Sequence, residues 1–140
     1  MQEWDKNSEQ VTKITPDKEK AKSLLKIISL RERNINKMEP EEFSTLIVEG
    51  YYEIVKELIT AIMSADGWKT VSHEMLIGYM AKFYKEFYNS EIYLMDQLRK
   101  TRNDIAYRGV MIKHDYLKRN GKDILKMIER LKIIAQTKIR

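Results

Sequence analysis

Cysteine is absent from the 140 residues, and histidine occurs only twice, at His73 and His114. The first absence removes disulfide scaffolds, thiolate zinc sites, iron–sulfur clusters and cysteine nucleophiles together. The second leaves no set of histidines for a multi-histidine metal centre within one chain. Proline (2) and glycine (5) are too scarce for a collagen-like or low-complexity chain. Long apolar runs are also missing. The longest strongly apolar, uncharged stretch is Leu58–Ala65, far short of the ~20 residues a membrane helix needs. The first ten residues, MQEWDKNSEQ, lack the apolar run of a signal peptide. These absences lead to the expectation of a soluble cytoplasmic protein with no metal and no cofactor.

What is present is one domain's length of chain, with 43% hydrophobic and 34% charged residues and a net charge of +5. A chain of this size buries roughly two-thirds of its unfolded surface and needs no staple. The charge is unevenly spread. Residues 99–140 carry 13 Lys or Arg against 4 Asp or Glu, a balance of +9, whereas residues 1–98 carry 13 against 17, a balance of −4. The basic end is either a polyanion surface or a solvated helix face.

Residues 1–14 are polar and aperiodic and read as a mobile or loosely docked arm, with Trp4 as its one apolar anchor. Residues 15–140 read as one helical domain. Thr15, Pro16 and Asp17 supply a cap, a first-turn proline and an acidic first turn, and Ala21, Leu24, Leu25, Ile28 and Ile35 follow with helical spacing. Pro40 ends that helix and opens a second, whose broad stripe from Phe43 through Ile47, Tyr51, Ile54 and Leu58 marks a central helix. Asp66-Gly67 closes it. Ser72 or Thr70 starts a third helix, Asn89-Ser90 separates it from a fourth ending at Gly109, and a fifth runs from His114 to Lys138 with Ile124, Leu125, Ile128 and Leu131 inward. No strand periodicity is visible. Short connections between long amphipathic helices predict an all-α, up-and-down antiparallel bundle of four to five helices. One uncovered apolar stripe would be covered in a homodimer.

Glu49, Glu53 and Glu57 lie at four-residue spacing. They suit a cation or acid–base work, but equally a solvated acidic face or partners for neighbouring Lys and Arg. His73 suits a hydrogen-bonding role at a helix start or a proton carrier. The segment with most chemical content is Arg102-Asn103-Asp104-Ile105-Ala106-Tyr107-Arg108. Guanidinium groups clamp phosphates, an amide orients a hydroxyl, and a phenol gives a stacking face. With Arg99 upstream and Lys113 downstream, the candidate nucleic-acid contacts are Arg99, Arg102, Arg108 and Lys113. The competing reading is an Arg–Asp network holding a helix end.

The helix order resembles the HEPN superfamily. So do Phe43-Ser-Thr-Leu-Ile-Val-Glu49-Gly-Tyr-Tyr-Glu53, the Gly67-Trp-Lys-Thr-Val-Ser-His73-Glu turn and Arg102-Asn103-Asp104; together they look like an archaeal branch of that group. The likeness covers about Ile14 to Ile139. It implies a dimeric helical domain, often a metal-independent ribonuclease of RNA metabolism, defence or toxin–antitoxin systems. In that family an arginine, a polar residue and a histidine four to six intervening positions beyond the arginine meet across the dimer, and the substrate's 2′-oxygen is the nucleophile. Arg102 and Asn103 match the first two, and Tyr107 stands in the histidine position. A phenol, with a reference pKa near 10, is a poor base at neutral pH. The resemblance thus implies an RNA- or nucleotide-binding dimer with a degenerate motif, Arg102, Asn103 and Tyr107 being the catalytic-type positions. The alternatives are an active metal-independent endoribonuclease and an interaction partner of a nucleotidyltransferase. Arg108 and His114 also meet the family spacing, but Gly109 breaks the helix between them.

Overall fold

The computed structural model describes residues 3–140, and its order is β1 (Val11–Lys13), α1 (Lys18–Asn36), α2 (Ser44–Asp66), β2 (Trp68–Thr70), α3 (His73–Phe83), α4 (Asn89–Arg108) and α5 (His114–Lys138). Five helices carry the fold, as the periodicities predict. No helix among the described residues is long and apolar enough to cross a membrane.

Helix α2 is the hub. It is apolar around most of its circumference, and Val48, Tyr52, Ile54, Val55, Leu58, Ile59, Ile62 and Met63 are all buried. A helix apolar on so many sides is stable only when surrounded, and α1, α3, α4 and α5 all pack on it. The others are narrower. Helix α5 commits Ile124, Met127, Ile128, Leu131 and Ala135 to the core, while Leu125, expected inward, is half exposed.

Contacts at the helix ends fix the directions. The Asp17 amide donates to the Ser64 carbonyl, which sets the start of α1 beside the end of α2. Ser44 Oγ donates to the Ile112 carbonyl at one end of the bundle, and Lys138 meets Asp66 at the other, so α5 runs parallel to α2. His73 contacts Tyr52 while Tyr79 and Tyr84 reach Asp66, so α3 is parallel to α2 as well. Arg99 near Glu74 then sets α4 antiparallel to α3. The bundle therefore departs from the simple up-and-down scheme. The extended segment 67–72 carries the chain back along α2 before α3 begins.

That segment also holds the N-terminal arm, through a strand pairing that the sequence reading did not foresee. β1 and β2 pair antiparallel, with Val11 opposite Thr70, Thr12 opposite Lys69 and Lys13 opposite Trp68. Trp4 is 7% exposed and makes edge contacts with Trp68 at 5.4 Å and Tyr79 at 4.9 Å. A three-residue pair is too short to show alternation in sequence, and its stability comes from the aromatic contact. Gly67 makes the turn possible at φ 95°, where a side chain is strained, and a Cβ there would lie 3.0 Å from the Ile14 carbonyl oxygen.

Two helix starts differ from expectation. Asp17, not Thr15, caps α1, its carboxylate accepting from the Lys20 amide at 2.9 Å. After Pro40 the chain makes a turn in which the Glu39 carboxylate accepts from the Glu41 and Glu42 amides, so α2 starts only at Ser44 with Phe43 outside it.

Candidate functional site

The polar groups of highest chemical interest gather where α2, α3 and the second half of α4 meet. Residues 96, 99 and 102 recur at three-residue spacing on α4 and share one flank of a 3.6-residue helix. Asp96 is buried and binds Arg99 at 2.9 Å, and Arg99 also lies 3.8 Å from Glu74 of α3. One turn on, Arg102 has a side chain 21% exposed with its Nε 3.5 Å from Glu53 Oε1. Glu53 is shared with Lys56, whose Nζ is 2.5 Å away.

His73 enters this cluster from the first position of α3. Ser72 caps that helix through a bond from the Met75 amide at 3.2 Å, which holds His73 against α2. Its Nδ1 is 2.9 Å from Tyr52 Oη, and Nε2 takes no hydrogen bond among the described residues. Burial holds the His73 pKa below its ordinary value. The charges of Lys56 and Arg102 act in the same direction, opposed by Glu53. The imidazole is therefore neutral at physiological pH. Burial also pushes the Tyr52 hydroxyl pKa up, so it stays a neutral phenol. In the tautomer with Nδ1–H donated to the Tyr52 oxygen, Nε2 carries a lone pair; in the other, the phenol donates to Nδ1 and Nε2 carries the proton.

Arg99 and Arg102 differ in what they offer. Arg99 is 11% exposed and committed to two carboxylates. Arg102 makes one long ion pair and no hydrogen bond among the described residues, which leaves most of its fork uncommitted. It is the guanidinium here best able to take an oxyanion.

The expected triplet is not brought together. Five positions along a helix rotate a side chain by ~140° relative to the first. Arg102 accordingly turns toward Glu53, while Tyr107 points out and is 78% exposed. Asn103 is half-buried between them. Arg108 is exposed and pairs with Asp104 at 3.2 Å, and Lys113 is exposed at the cap of α5. The four candidate nucleic-acid residues thus divide into an inward pair, Arg99 and Arg102, and an outward pair, Arg108 and Lys113. His114 lies 4.0 Å from Glu41, and no contact joins it to Arg108 among the described residues. The acidic triplet of α2 serves partly as ion-pair partners: Glu57 binds Arg31 through both oxygens at 2.6 and 3.2 Å, and Glu53 binds Lys56 and Arg102.

Sequence reasoning missed Tyr52, Lys56, Glu74 and Asp96 as members of the cluster. His73 is visible in the sequence as a chemical group but not as a neighbour of Arg102, because that proximity depends on α3 running parallel to α2. Among the described residues no group of three or more His, Asp and Glu could hold a metal ion. Comparison with protein-family models, with curated proteins and with solved structures gives no match.

Proposed function

We propose that the chain is a HEPN-like homodimeric protein that binds RNA or a nucleotide through Arg102, with its ribonuclease motif altered at Tyr107. The supporting observation is the state of Arg102, a part-buried guanidinium whose one partner among the described residues is Glu53 at 3.5 Å, with Lys56 on the same carboxylate. A part-buried guanidinium with unused donors has lost hydration without full compensation, and a phosphate supplies the missing acceptors. The basic balance of residues 99–140 draws a polyanion toward this end of α4.

The test is fluorescence anisotropy of an end-labelled single-stranded RNA 12-mer from 50 to 300 mM salt. Binding is expected to weaken with salt, and Arg102→Ala is expected to reduce affinity about tenfold and flatten the log–log salt slope by ~0.7. RNA affinity that is absent at low salt, or identical in Arg102→Ala, overturns the reading.

A second reading is favoured by the neutral His73 beside Arg102. In a metal-independent endoribonuclease, Nε2, in the tautomer with Nδ1–H donated to Tyr52, would accept the 2′-hydroxyl proton as the 2′-oxygen attacks phosphorus, Arg102 would steady the phosphate, and the 5′-oxygen would leave with a proton from solvent. It requires EDTA-resistant cleavage that His73→Ala and Arg102→Ala abolish and Tyr107→Phe leaves intact. Cleavage that survives Arg102→Ala refutes it.

A further inference from the structure

The opposite flank of α4 holds a cleft that the Arg102 cluster does not use. It lies between α4 and α5, has a volume of about 600 Å³, and combines aromatic, amide and hydroxyl groups with the cations Lys126 and Arg130. Its size is that of a small-molecule site.

The walls are unusually well supplied with unused groups. Tyr88 and Tyr93 stand 74% and 65% exposed at the mouth. An exposed tyrosine ring forgoes the burial that normally stabilises it, and each of these two offers the cleft a ring face for stacking. On the α4 side Gln97 makes no hydrogen bond among the described residues, so its amide offers a donor and an acceptor. On the α5 side Asn120 donates from its Nδ2 to the Tyr116 carbonyl at 3.1 Å, and its Oδ1 accepts no hydrogen bond among the described residues. The Tyr116 hydroxyl lines the same cleft, buried and without a hydrogen bond of normal geometry among the described residues, although Thr101 lies beside it. A buried orphan hydroxyl is rare and calls for a partner.

The charges divide by availability. Arg130 is engaged by both oxygens of Glu91, by the Glu86 carbonyl and by the Phe87 ring at 4.6 Å, and it serves as the wall that holds α5 to the start of α4. Lys126 has no ion-pair partner among the described residues and is exposed at the rim. A site of this kind takes a flat ring with a hydrogen-bonding edge and one adjacent anionic group. It is poorly suited to a bare phosphate, because Asp123 and Glu91 also line it.

We infer that the α4–α5 cleft binds a nucleobase of a nucleotide, stacked on Tyr93 and Tyr88, its edge read by Gln97 and Asn120 and its phosphate met by Lys126. This site is separate from the Arg102 cluster and stands whether or not that cluster binds RNA. Base–aromatic stacking contributes roughly fivefold to a hundredfold in affinity per base when the ring is truncated.

The experiment is an isotope-edited NMR titration of the intact chain with AMP, UMP and ribose 5-phosphate up to 5 mM. Shifts from AMP are expected to cluster at 88–101 and 116–130, with weaker binding of UMP, whose ring is smaller. Tyr93→Ala is expected to weaken AMP binding at least about fivefold. Tyr93 is exposed, so this variant remains folded, and its amide spectrum checks that. Four outcomes overturn the inference: no shifts from AMP at 5 mM, ribose 5-phosphate binding as well as AMP, AMP binding that survives Tyr93→Ala but is lost in Arg102→Ala, or cleft shifts caused by a proline-rich decapeptide and not by AMP. Because Arg102→Ala is one arm, failure of the cleft and failure of the Arg102 reading give different patterns.

Discussion

Glu53→Gln is expected to tighten RNA binding, which is the opposite of what loss of a site residue usually does. Glu53 occupies the place an incoming phosphate would compete for, 3.5 Å from Arg102 Nε and 2.5 Å from Lys56 Nζ. A phosphate held by Arg102 would sit about 6 Å from that carboxylate, and at an effective dielectric constant of about 30–50 the repulsion is about 1–2 kcal/mol. Neutralising Glu53 removes it and releases two cations, so affinity should rise roughly six- to twentyfold. The Glu53 side chain is 16% exposed, with Lys56 and Arg102 at 27% and 21%, so neutralising it leaves two part-buried cations without a charged partner and is expected to lower stability, which the unfolding control measures. The assay is anisotropy of the labelled RNA 12-mer at 50 mM salt, with denaturant unfolding as the control. The gain should shrink as salt screens the charges, since the Debye length is about 10 Å at 0.1 M. The double variant with Arg102→Ala should return to the Arg102→Ala level. A folded Glu53→Gln protein with unchanged or weaker affinity refutes the argument, because the network would then be purely structural. A gain that persists in the double variant refutes Arg102 as the contact.

Other consequences concern stability. Asp66 accepts the hydroxyls of Tyr79 and Tyr84 at 2.5 and 2.6 Å and binds Lys138 at 2.7 Å, so Asp66→Ala should cost about 3–5 kcal/mol in urea unfolding; a loss under about 1 kcal/mol would show that these groups are rehydrated. Burial depresses the His73 pKa below its ordinary value, so the unfolded chain binds the proton more readily and stability should fall as pH drops through about 6.5. His73→Gln should flatten that fall between pH 8 and 5, and an unchanged pH profile would contradict the assignment. Gly109 sits at φ 65°, and a methyl group added at its Cα would meet no atom within 4 Å, so Gly109→Ala should cost about 1 kcal/mol of backbone strain alone. Gly67→Ala adds a 3.0 Å approach to the Ile14 carbonyl and should cost more; equal losses would refute the role given to that contact.

Helix signals that act within one turn were legible. Gly67 and Gly109 both take the left-handed cap, Ser72 caps α3, and α5 spans His114 to Lys138. The breadth of the α2 stripe also conveyed its central place. Competing local bonds hid two starts: the Asp17 carboxylate and the Glu39 carboxylate each take backbone amides that a simple proline rule does not foresee. The site was legible only as parts. Arg102 and His73 stand 29 positions apart, and nothing local reveals that an extended return strand brings His73 alongside Tyr52. Tyr107 shows the converse: it follows Arg102 closely in sequence yet faces another side of α4, because adjacency in a motif says nothing about which side of a helix each residue faces.

The strap formed by Trp4 and β1 has a consequence for the order of folding. Its partners lie at Trp68, Tyr79 and Phe83, so contacts spanning 55 residues or more must wait until the α2–α3 region is in place. Helix α5 closes on α2 across a span of similar length, but it does so through a long buried apolar face, whereas the strap closes its loop for three strand pairs and one indole. It should dock last and open first. In amide hydrogen exchange, Val11–Lys13 should therefore exchange through local opening well before the core of α2, and the bundle would keep its structure while its first strand is free.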